Sequence, residues 1–221
     1  MRVGVDLMSV SRFAEVAEHH RYRTLVFTPT ELAQADRAGP ERRLERLAGR
    51  FCVKEATCKL LGRGFGQGLR WRDIEVTNDM WGAPVVTLTG DARELADEAG
   101  VDEDIIVTLS HQVDLVIAVA IASTGRLPRP YRGEPDPRAP ARDHDKLTEL
   151  AAVAAELFEV RTEDVAGARS FVGDLGATSM LIIELHTRLE RRYGVRIDEQ
   201  GFYRMTNLPR TYDVVAQAAG W

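Results

Sequence analysis

A proline-rich segment divides this chain and limits how the rest of it can fold. Residues 125–145 contain five of the nine prolines and few large aliphatic side chains, and such a segment cannot bury enough apolar surface to form a core. It leaves residues 1–124 and 146–221, each long enough to form a domain. We therefore predict two domains and a linker whose ends lie roughly 25 Å apart as a flexible coil, or about 60 Å apart when proline stiffens it.

The first half mixes strand and helix periodicities, which predicts an α+β fold. A helix is predicted to begin after Thr28, because Pro29 suits the first helical position and Glu31 completes a capping box. A longer helix is predicted from about Glu41 to residue 61, ending at Gly62. Strands rich in branched residues are predicted at residues 3–7, 73–76, 84–88, 105–109 and 115–120.

The second half shows only helical periodicity, which predicts an all-α module of four helices. These are expected at residues 147–158 and 178–193, near 200–204, and at 212–219. The predicted architecture is thus an α+β domain, a linker and a small helical bundle.

Composition argues against several classes of partner. With 29% charged residues and a net charge of −5, neither a nucleic acid nor an anionic membrane is an obvious partner. The longest apolar run, residues 115–122, is too short to span a bilayer, and no signal-peptide pattern precedes the first strand, so we expect a cytoplasmic protein. Cys52 and Cys58 are expected to be reduced packing residues, because their helical spacing turns them apart.

Three polar residues in the first half point to a site that handles phosphate. Asp6 ends the first predicted strand, and Glu55 and Lys59 lie one turn apart on the long predicted helix. Magnesium commonly takes one or two carboxylates and completes its shell with water and substrate phosphate, and Lys59 would add positive charge there. The residues alone leave a second interpretation open, in which Asp6 caps the next helix and Glu55 and Lys59 form a surface pair.

Several short motifs follow one another along the first 123 residues. They are VGVDL at 3–7 with RF at 12–13, FTPTEL at 27–32, RFCVKEA at 50–56 with Lys59, the stretch 68–76, GAP at 82–84 and LSH at 109–111. In this order and spacing they resemble the holo-acyl-carrier-protein synthase family of 4′-phosphopantetheinyl transferases. Cys52 and Val53 stand where that family usually has two alanines, which is a small change.

This resemblance implies a reaction and a set of roles. Asp6 and Glu55 would hold Mg²⁺ against the pyrophosphate of coenzyme A, and Lys59 would steady a phosphate there. A carrier serine would attack the phosphorus that bears the pantetheine arm, and 3′,5′-adenosine bisphosphate would leave. The resemblance places His111 near the coenzyme, although a single histidine at a strand end is as often a structural residue.

The resemblance also implies two kinds of protein contact. The family assembles as a trimer with coenzyme bound between neighbours, and it docks acidic carriers on a basic first helix that Arg12, Arg21 and Arg23 match here. For these arginines the alternative is an ordinary solvated face.

The second half carries the sequence DLGATSM at residues 174–180. It is similar to the lead-in of the modified helix in acyl carrier proteins, which residues 147–219 resemble, and it places Ser179 at the phosphopantetheine attachment position. A serine there is otherwise an ordinary helix cap. Thr178 replaces the family's aspartate, which removes a carboxylate that could orient or deprotonate the hydroxyl. Residues 146–221 are also weakly acidic for a carrier, with nine Lys and Arg against eleven Asp and Glu.

Two functions follow from these patterns. In the first, the chain is a magnesium-dependent transferase that loads its own Ser179, and other carriers, for fatty-acid, polyketide or related acyl assembly. Tethering would place the serine at an effective concentration on the order of millimolar. In the alternative, the transferase acts on external carriers and the second domain is an unmodified docking or regulatory module.

Overall fold

The computed structural model describes residues 1–64, 66–101, 104–124 and 142–221. The chain divides into two compact units, Met1–Tyr131 and Arg132–Trp221. Most of the predicted linker lies outside the described residues, so the domain boundaries stay a prediction. No described helix has both the length and the apolar composition that crossing a bilayer requires.

The described part of the first unit has five strands in two antiparallel sheets. They are β1 (Arg2–Ser9), β2 (Ile74–Asn78), β3 (Pro84–Leu88), β4 (Ile106–Gln112) and β5 (Leu115–Ala122). The larger sheet has the order β1-β5-β4, and β2 pairs with β3 in a hairpin. Val5 lies opposite Val119, and Ile106 lies opposite Ile121. All five predicted strands are present, so the mixed fold of this half is confirmed.

The described part of the first unit also contains five α-helices. They are α1 (Val10–Glu18), α2 (His20–Val26), α3 (Pro29–Asp36), α4 (Pro40–Leu61) and α5 (Gly90–Glu98). The helices α3 and α4 are the two predicted from sequence. Thr28 and Glu31 form the predicted capping box at the start of α3, and α4 ends at Gly62, whose φ of 72° is left-handed.

The strand β1 lies directly on α4, and Gly4 makes this approach possible. A Cβ atom added at Gly4 would stand 1.9 Å from the Ala56 carbonyl oxygen and 2.6 Å from the Leu60 nitrogen. Real Cβ atoms do not come so close to backbone, so any other residue would push the strand off the helix. The contact therefore sets the position of Asp6, two residues further along the strand.

We expect Gly4→Ala to lower the free energy of unfolding of the first unit by about 3 kcal/mol, because the strand must separate from the helix backbone. Gly49→Ala is the matched control, since a Cβ there meets only the Leu109 side chain at 3.5 Å and alanine favours a helix interior. Hydrogen exchange in β1 and α4 measures both variants. Equal protection in the two would contradict the role of Gly4.

The two faces of the larger sheet differ sharply in their exposure. One face packs on α4 and buries Val116, Ala118 and Ala120. The opposite face is apolar yet open, with six large side chains between 41% and 69% exposed: Val3, Val5, Leu7, Ile106, Leu115 and Ile117. An exposed apolar surface of this kind is typical of a binding surface.

The described part of the second unit is entirely helical, which confirms the all-α prediction. Its helices are α6 (His144–Phe158), α7 (Thr162–Gly167), α8 (Phe171–Leu175), α9 (Ser179–Tyr193), α10 (Glu199–Arg204) and α11 (Leu208–Ala219). Four of them correspond to the predicted helices, and α7 and α8 are two further short helices.

The first helix of this unit starts earlier than predicted. Asp143 caps α6 through its side chain and donates its backbone N–H to the Tyr212 hydroxyl. Arg142 makes a two-point ion pair with Asp213, with distances of 2.8 and 2.7 Å. Residues 142–145, which the sequence assigned to the linker, therefore pack as part of the helical unit.

Candidate functional site

Asp6 and Lys59 meet where β1 lies on α4. Lys59 Nζ lies 2.9 Å from Asp6 Oδ1 and 2.9 Å from the Val5 carbonyl oxygen. The cap of α1 is Ser9, which accepts from the Arg12 backbone N–H. The alternative interpretation of Asp6 as a helix cap is therefore wrong, and its carboxylate instead pairs with Lys59.

Glu55 lies one turn before Lys59 and has an aromatic partner. The indole Nε1 of Trp71 donates to Glu55 Oε1 at 2.5 Å, and the Trp71 ring packs edge-on against Phe51 at 5.3 Å. A buried tryptophan N–H requires an acceptor, so this hydrogen bond orients the carboxylate. Sequence reasoning missed Trp71, because the contact joins residues sixteen positions apart on different elements.

The negative charges of Asp6 and Glu55 raise the pKa values of two buried thiols, Cys52 and Cys58. Burial raises the pKa of Cys52, and the negative charges of Asp6 and Glu55 raise it further. The pKa of Cys58 is raised well above its usual value by the same causes. Cys52 Sγ also donates to the Asp6 carbonyl oxygen at 3.3 Å. The two acids therefore share one neighbourhood, and the prediction of unpaired packing cysteines is confirmed.

A buried ion pair lies beneath this site. Lys54 Nζ is 3.0 Å from Glu31 Oε2 and also donates to the carbonyl oxygens of Trp71 and Ile74. Burial lowers the pKa of Lys54, and the charge of Glu31 opposes that change. Glu31 in turn accepts from the Val76 backbone N–H at 2.9 Å. The pair thus fixes α4, β2 and the Trp71 turn to one another. It was not anticipated from sequence.

His111 lies in a different place, a basic cavity of about 700 Å³. Its lining includes four arginines and several polar or small residues from α3, α4 and the β2–β3 hairpin: Arg37, Arg42, Arg46, Arg50, Gln34, Asn78, Gly82 and Pro84. Asp6, Glu55 and Lys59 are not among the lining residues. His111 therefore lines a cavity to which the two acids do not contribute.

Arg50 is the most deeply held of these arginines. Its Nε donates to the Val76 carbonyl oxygen, and its Nη2 donates to Gln34 and Asn78. Its Nη1 is buried without a hydrogen-bond partner, and burial lowers the pKa of the guanidinium. A buried donor of this kind favours an anion in the cavity.

The three arginines expected to dock a carrier lie on two helices. Arg12 is exposed in the first turn of α1, and Arg21 and Arg23 are half-buried on α2. The prediction of a single basic helix is wrong, because His19 has an extended backbone and separates α1 from α2. Arg12 still follows Asp6 by only six residues, so positive charge lies near the end of β1.

Ser179 is the first residue of α9. Thr178 is the N-cap, and its hydroxyl accepts from the Leu181 backbone N–H at 3.3 Å. Ser179 is therefore not the cap, so that alternative is wrong. Ser179 as a whole is only 8% exposed. The preceding Gly176 has a left-handed φ of 67°.

Comparison with known protein families accounts for both units. Residues 2–120 match the family model of the 4′-phosphopantetheinyl transferase superfamily, and residues 148–215 match that of the phosphopantetheine attachment site. The chain belongs to the 4′-phosphopantetheinyl transferase superfamily and carries an attachment-site domain after the transferase.

Individual relatives within this superfamily are holo-[acyl-carrier-protein] synthases. The holo-[acyl-carrier-protein] synthase of Desulforudis audaxviator is 44% identical over 124 residues, which cover 54% of this chain and 90% of the relative. That of Geotalea daltonii is 38% identical over 120 residues, with coverage of 53% and 94%. The crystal structure of the Neisseria meningitidis enzyme is 26% identical with a TM-score of 0.50, covering 56% of this chain and 98% of that one. The resemblance to holo-acyl-carrier-protein synthases is confirmed.

Proposed function

We propose that this protein transfers the 4′-phosphopantetheine arm of coenzyme A to a carrier-protein serine, including its own Ser179, and releases 3′,5′-adenosine bisphosphate. The observation that carries the proposal is the meeting of Asp6 and Lys59, with Glu55 beside them, in a chain that also holds an attachment-site domain. The relatives named above are holo-[acyl-carrier-protein] synthases, which supports the substrate class.

The acids of this site fit a magnesium ion. Asp6 and Glu55 supply carboxylate oxygens, the ligands that this hard cation prefers. Among the described residues no group of three or more His, Cys, Asp and Glu is placed to hold a metal, so water and the diphosphate would complete the shell. Magnesium bound there would neutralise negative charge on the diphosphate.

The protein groups would act on the two reactants as follows. Lys59, which holds Asp6 in this structure, would donate to a phosphate oxygen. Ser179 Oγ would attack the phosphorus bearing the pantetheine arm, forming a new P–O bond as the bond to 3′,5′-adenosine bisphosphate breaks and the hydroxyl proton passes to a water molecule. The anionic product would then lie at the N-terminus of α9, where the helix dipole favours negative charge.

We assign the basic cavity to the phosphorylated nucleoside end of coenzyme A. Four arginines and His111 line it, and the buried Arg50 Nη1 has no protein partner. Because Asp6 and Lys59 lie outside the lining, we propose that one coenzyme A molecule contacts the cavity of one protomer and the acids of its neighbour.

The open face of the larger sheet supports the homotrimer that the resemblance implies. Its six exposed aliphatic side chains lie on strands next to Asp6, and covering them would stabilise an assembly through the hydrophobic effect. A trimer would thereby bring neighbouring cavities and acids together.

We expect Ile117→Glu to give monomers and to lower transferase activity at least tenfold, because a charge on the open face prevents its burial. Val85→Glu is the matched control, since Val85 is 42% exposed, against 41% for Ile117, but lies on β3 outside this sheet. Light scattering after size exclusion measures the mass of each variant. A trimer that persists in the Ile117 variant would show that this face is not the interface.

A substitution at Thr178 tests whether the aspartate that carrier proteins usually have at this position speeds the reaction. We expect Thr178→Asp to raise the rate of loading at Ser179 about tenfold, because aspartate keeps the cap and adds a group that can orient or deprotonate the neighbouring hydroxyl. Thr178→Asn keeps the cap without the charge, so its rate should stay within about twofold of the parent. Intact-mass time courses give both rates, and equal rates for the two variants would rule out a role for the charge.

A second function is favoured by two observations at the same helix. Ser179 is 8% exposed, and Thr178 provides no carboxylate. Both suit a domain that stays unmodified and docks or regulates the transferase, which would then act on external carriers.

The test incubates the full chain with coenzyme A and either magnesium or a chelator, with and without an external apo acyl carrier protein. The proposed function predicts that the chain and the carrier each gain the mass of one phosphopantetheine, and that the chelator prevents both gains. Modification of the external carrier alone would favour the second function. If neither is modified, the transferase assignment fails.

A further inference from the structure

The helix that carries Ser179 uses its own acidic residues in ion pairs within the second unit. Glu184 and Glu190 are the acids of α9. Arg188 Nη2 lies 2.9 Å from Glu184 Oε1, and Arg188 Nη1 lies 3.2 Å from Glu156 Oε1 on α6. One guanidinium thus bridges two carboxylates of this unit.

The other acid of α9 is also engaged. Glu190 Oε1 accepts from the Ile197 backbone N–H at 2.7 Å and lies 3.8 Å from His186 Nε2. Further along the helix, Arg192 pairs with Glu149 of α6 at 2.8 Å. With Arg188, Arg191 and Arg192 against two glutamates, α9 offers no net negative charge to a partner.

The transferase unit, in contrast, carries positive charge near its proposed reaction site. Arg12 is exposed in the first turn of α1, directly after the strand that carries Asp6. Positive charge beside a reaction centre attracts acidic partners and speeds their arrival. An acceptor whose carboxylates are already paired gains less from that field than one whose carboxylates are unpaired.

We propose that Arg188 is a specificity-determining residue of the acceptor domain: by pairing with Glu184, it weakens charge-driven docking, so this carrier is loaded through its covalent connection while external acidic carriers dock by charge. This inference rests on the proposed function. The ion pairs involved are partly exposed, and such pairs contribute little to folding stability. The tether replaces their attraction with a high effective concentration.

The experiment separates enzyme and acceptor on two full-length chains. The enzyme is the Ser179→Ala chain, and the acceptor is the Glu55→Gln chain, which keeps its serine but loses a proposed catalytic acid. They are mixed just before magnesium and coenzyme A are added, and intact mass gives the transfer rate. Adding Arg188→Gln to the acceptor should raise this rate about fivefold at low salt, and the gain should vanish at about 0.5 M NaCl.

Arg161→Gln is the matched control. Arg161 directly precedes α7, lies away from α9 in the sequence, and pairs with Asp164 at 2.7 Å. It removes the same charge and should leave the transfer rate within about twofold. Adding Glu184→Gln to the Arg188→Gln acceptor should return the rate to that of the parent acceptor, which isolates the pair as a double-mutant cycle. Thermal melting confirms that each acceptor is folded.

Equal gains for Arg188→Gln and Arg161→Gln, or no gain for Arg188→Gln, would overturn the inference. A gain that persists in high salt or survives Glu184→Gln would do the same. Failure of the proposed function looks different, because the parent chain would then modify neither itself nor an external carrier.

Discussion

Replacing Glu55 with glutamine is expected to lower the rate of phosphopantetheine transfer by about a thousandfold while the protein stays folded. The substitution removes one of the two carboxylates that we assign to magnesium, and metal-based charge stabilisation of several kcal/mol corresponds to a rate factor of that order. Glutamine keeps the size of the side chain and an oxygen that can accept from Trp71 Nε1. The change is therefore electrostatic.

The measurement is the initial rate of transfer to an external apo acyl carrier protein over a range of magnesium concentrations, together with magnesium affinity by calorimetry. Glu94→Gln is the control, since Glu94 is exposed on α5, and it should behave as the parent. A Glu55→Gln rate within tenfold of the parent, with unchanged magnesium affinity, would remove Glu55 from the metal site.

Replacing Ser179 with alanine is expected to abolish modification of the chain itself while transfer to an external carrier continues at the parent rate. The nucleophilic oxygen is lost, and alanine adds no bulk at the start of α9. Because Thr178 supplies the cap of that helix, the substitution leaves the capping hydrogen bond in place and the second unit should remain folded.

Intact mass after exhaustive incubation with coenzyme A and magnesium decides the outcome. Ser170→Ala serves as the control: Ser170 caps α8, so its loss costs about 1 kcal/mol of stability but leaves Ser179 available. Phosphopantetheine that still appears on the Ser179→Ala chain would place the attachment elsewhere.

Regular elements with strong local signals could be predicted from sequence. The strands carry runs of branched residues, and α3 and α4 carry a capping box and a terminal glycine, so local chemistry defines them. The helices α7 and α8 have six and five residues, too few for a periodicity to repeat. The short helix α1 begins directly after β1 with no separating turn, so the resemblance and not the local pattern indicated a helix there.

The candidate site was predictable only where its residues belong to a local sequence motif. Asp6, Glu55 and Lys59 were identified by their motifs, and the structure joins Asp6 to Lys59. The partners that hold them in place were not identified, because the hydrogen bond of Trp71 with Glu55 and the ion pair of Lys54 with Glu31 exist only after tertiary packing. The arginine cavity likewise depends on how α3, α4 and the hairpin come together.

The missing side chain at Gly4 has a consequence for how the enzyme responds to heat. Since β1 touches the main chain of α4 at that residue, the backbone that carries Asp6 can leave α4 only when strand and helix separate. Catalytic competence and the integrity of this contact should thus disappear together on warming, with no folded but inactive species in between.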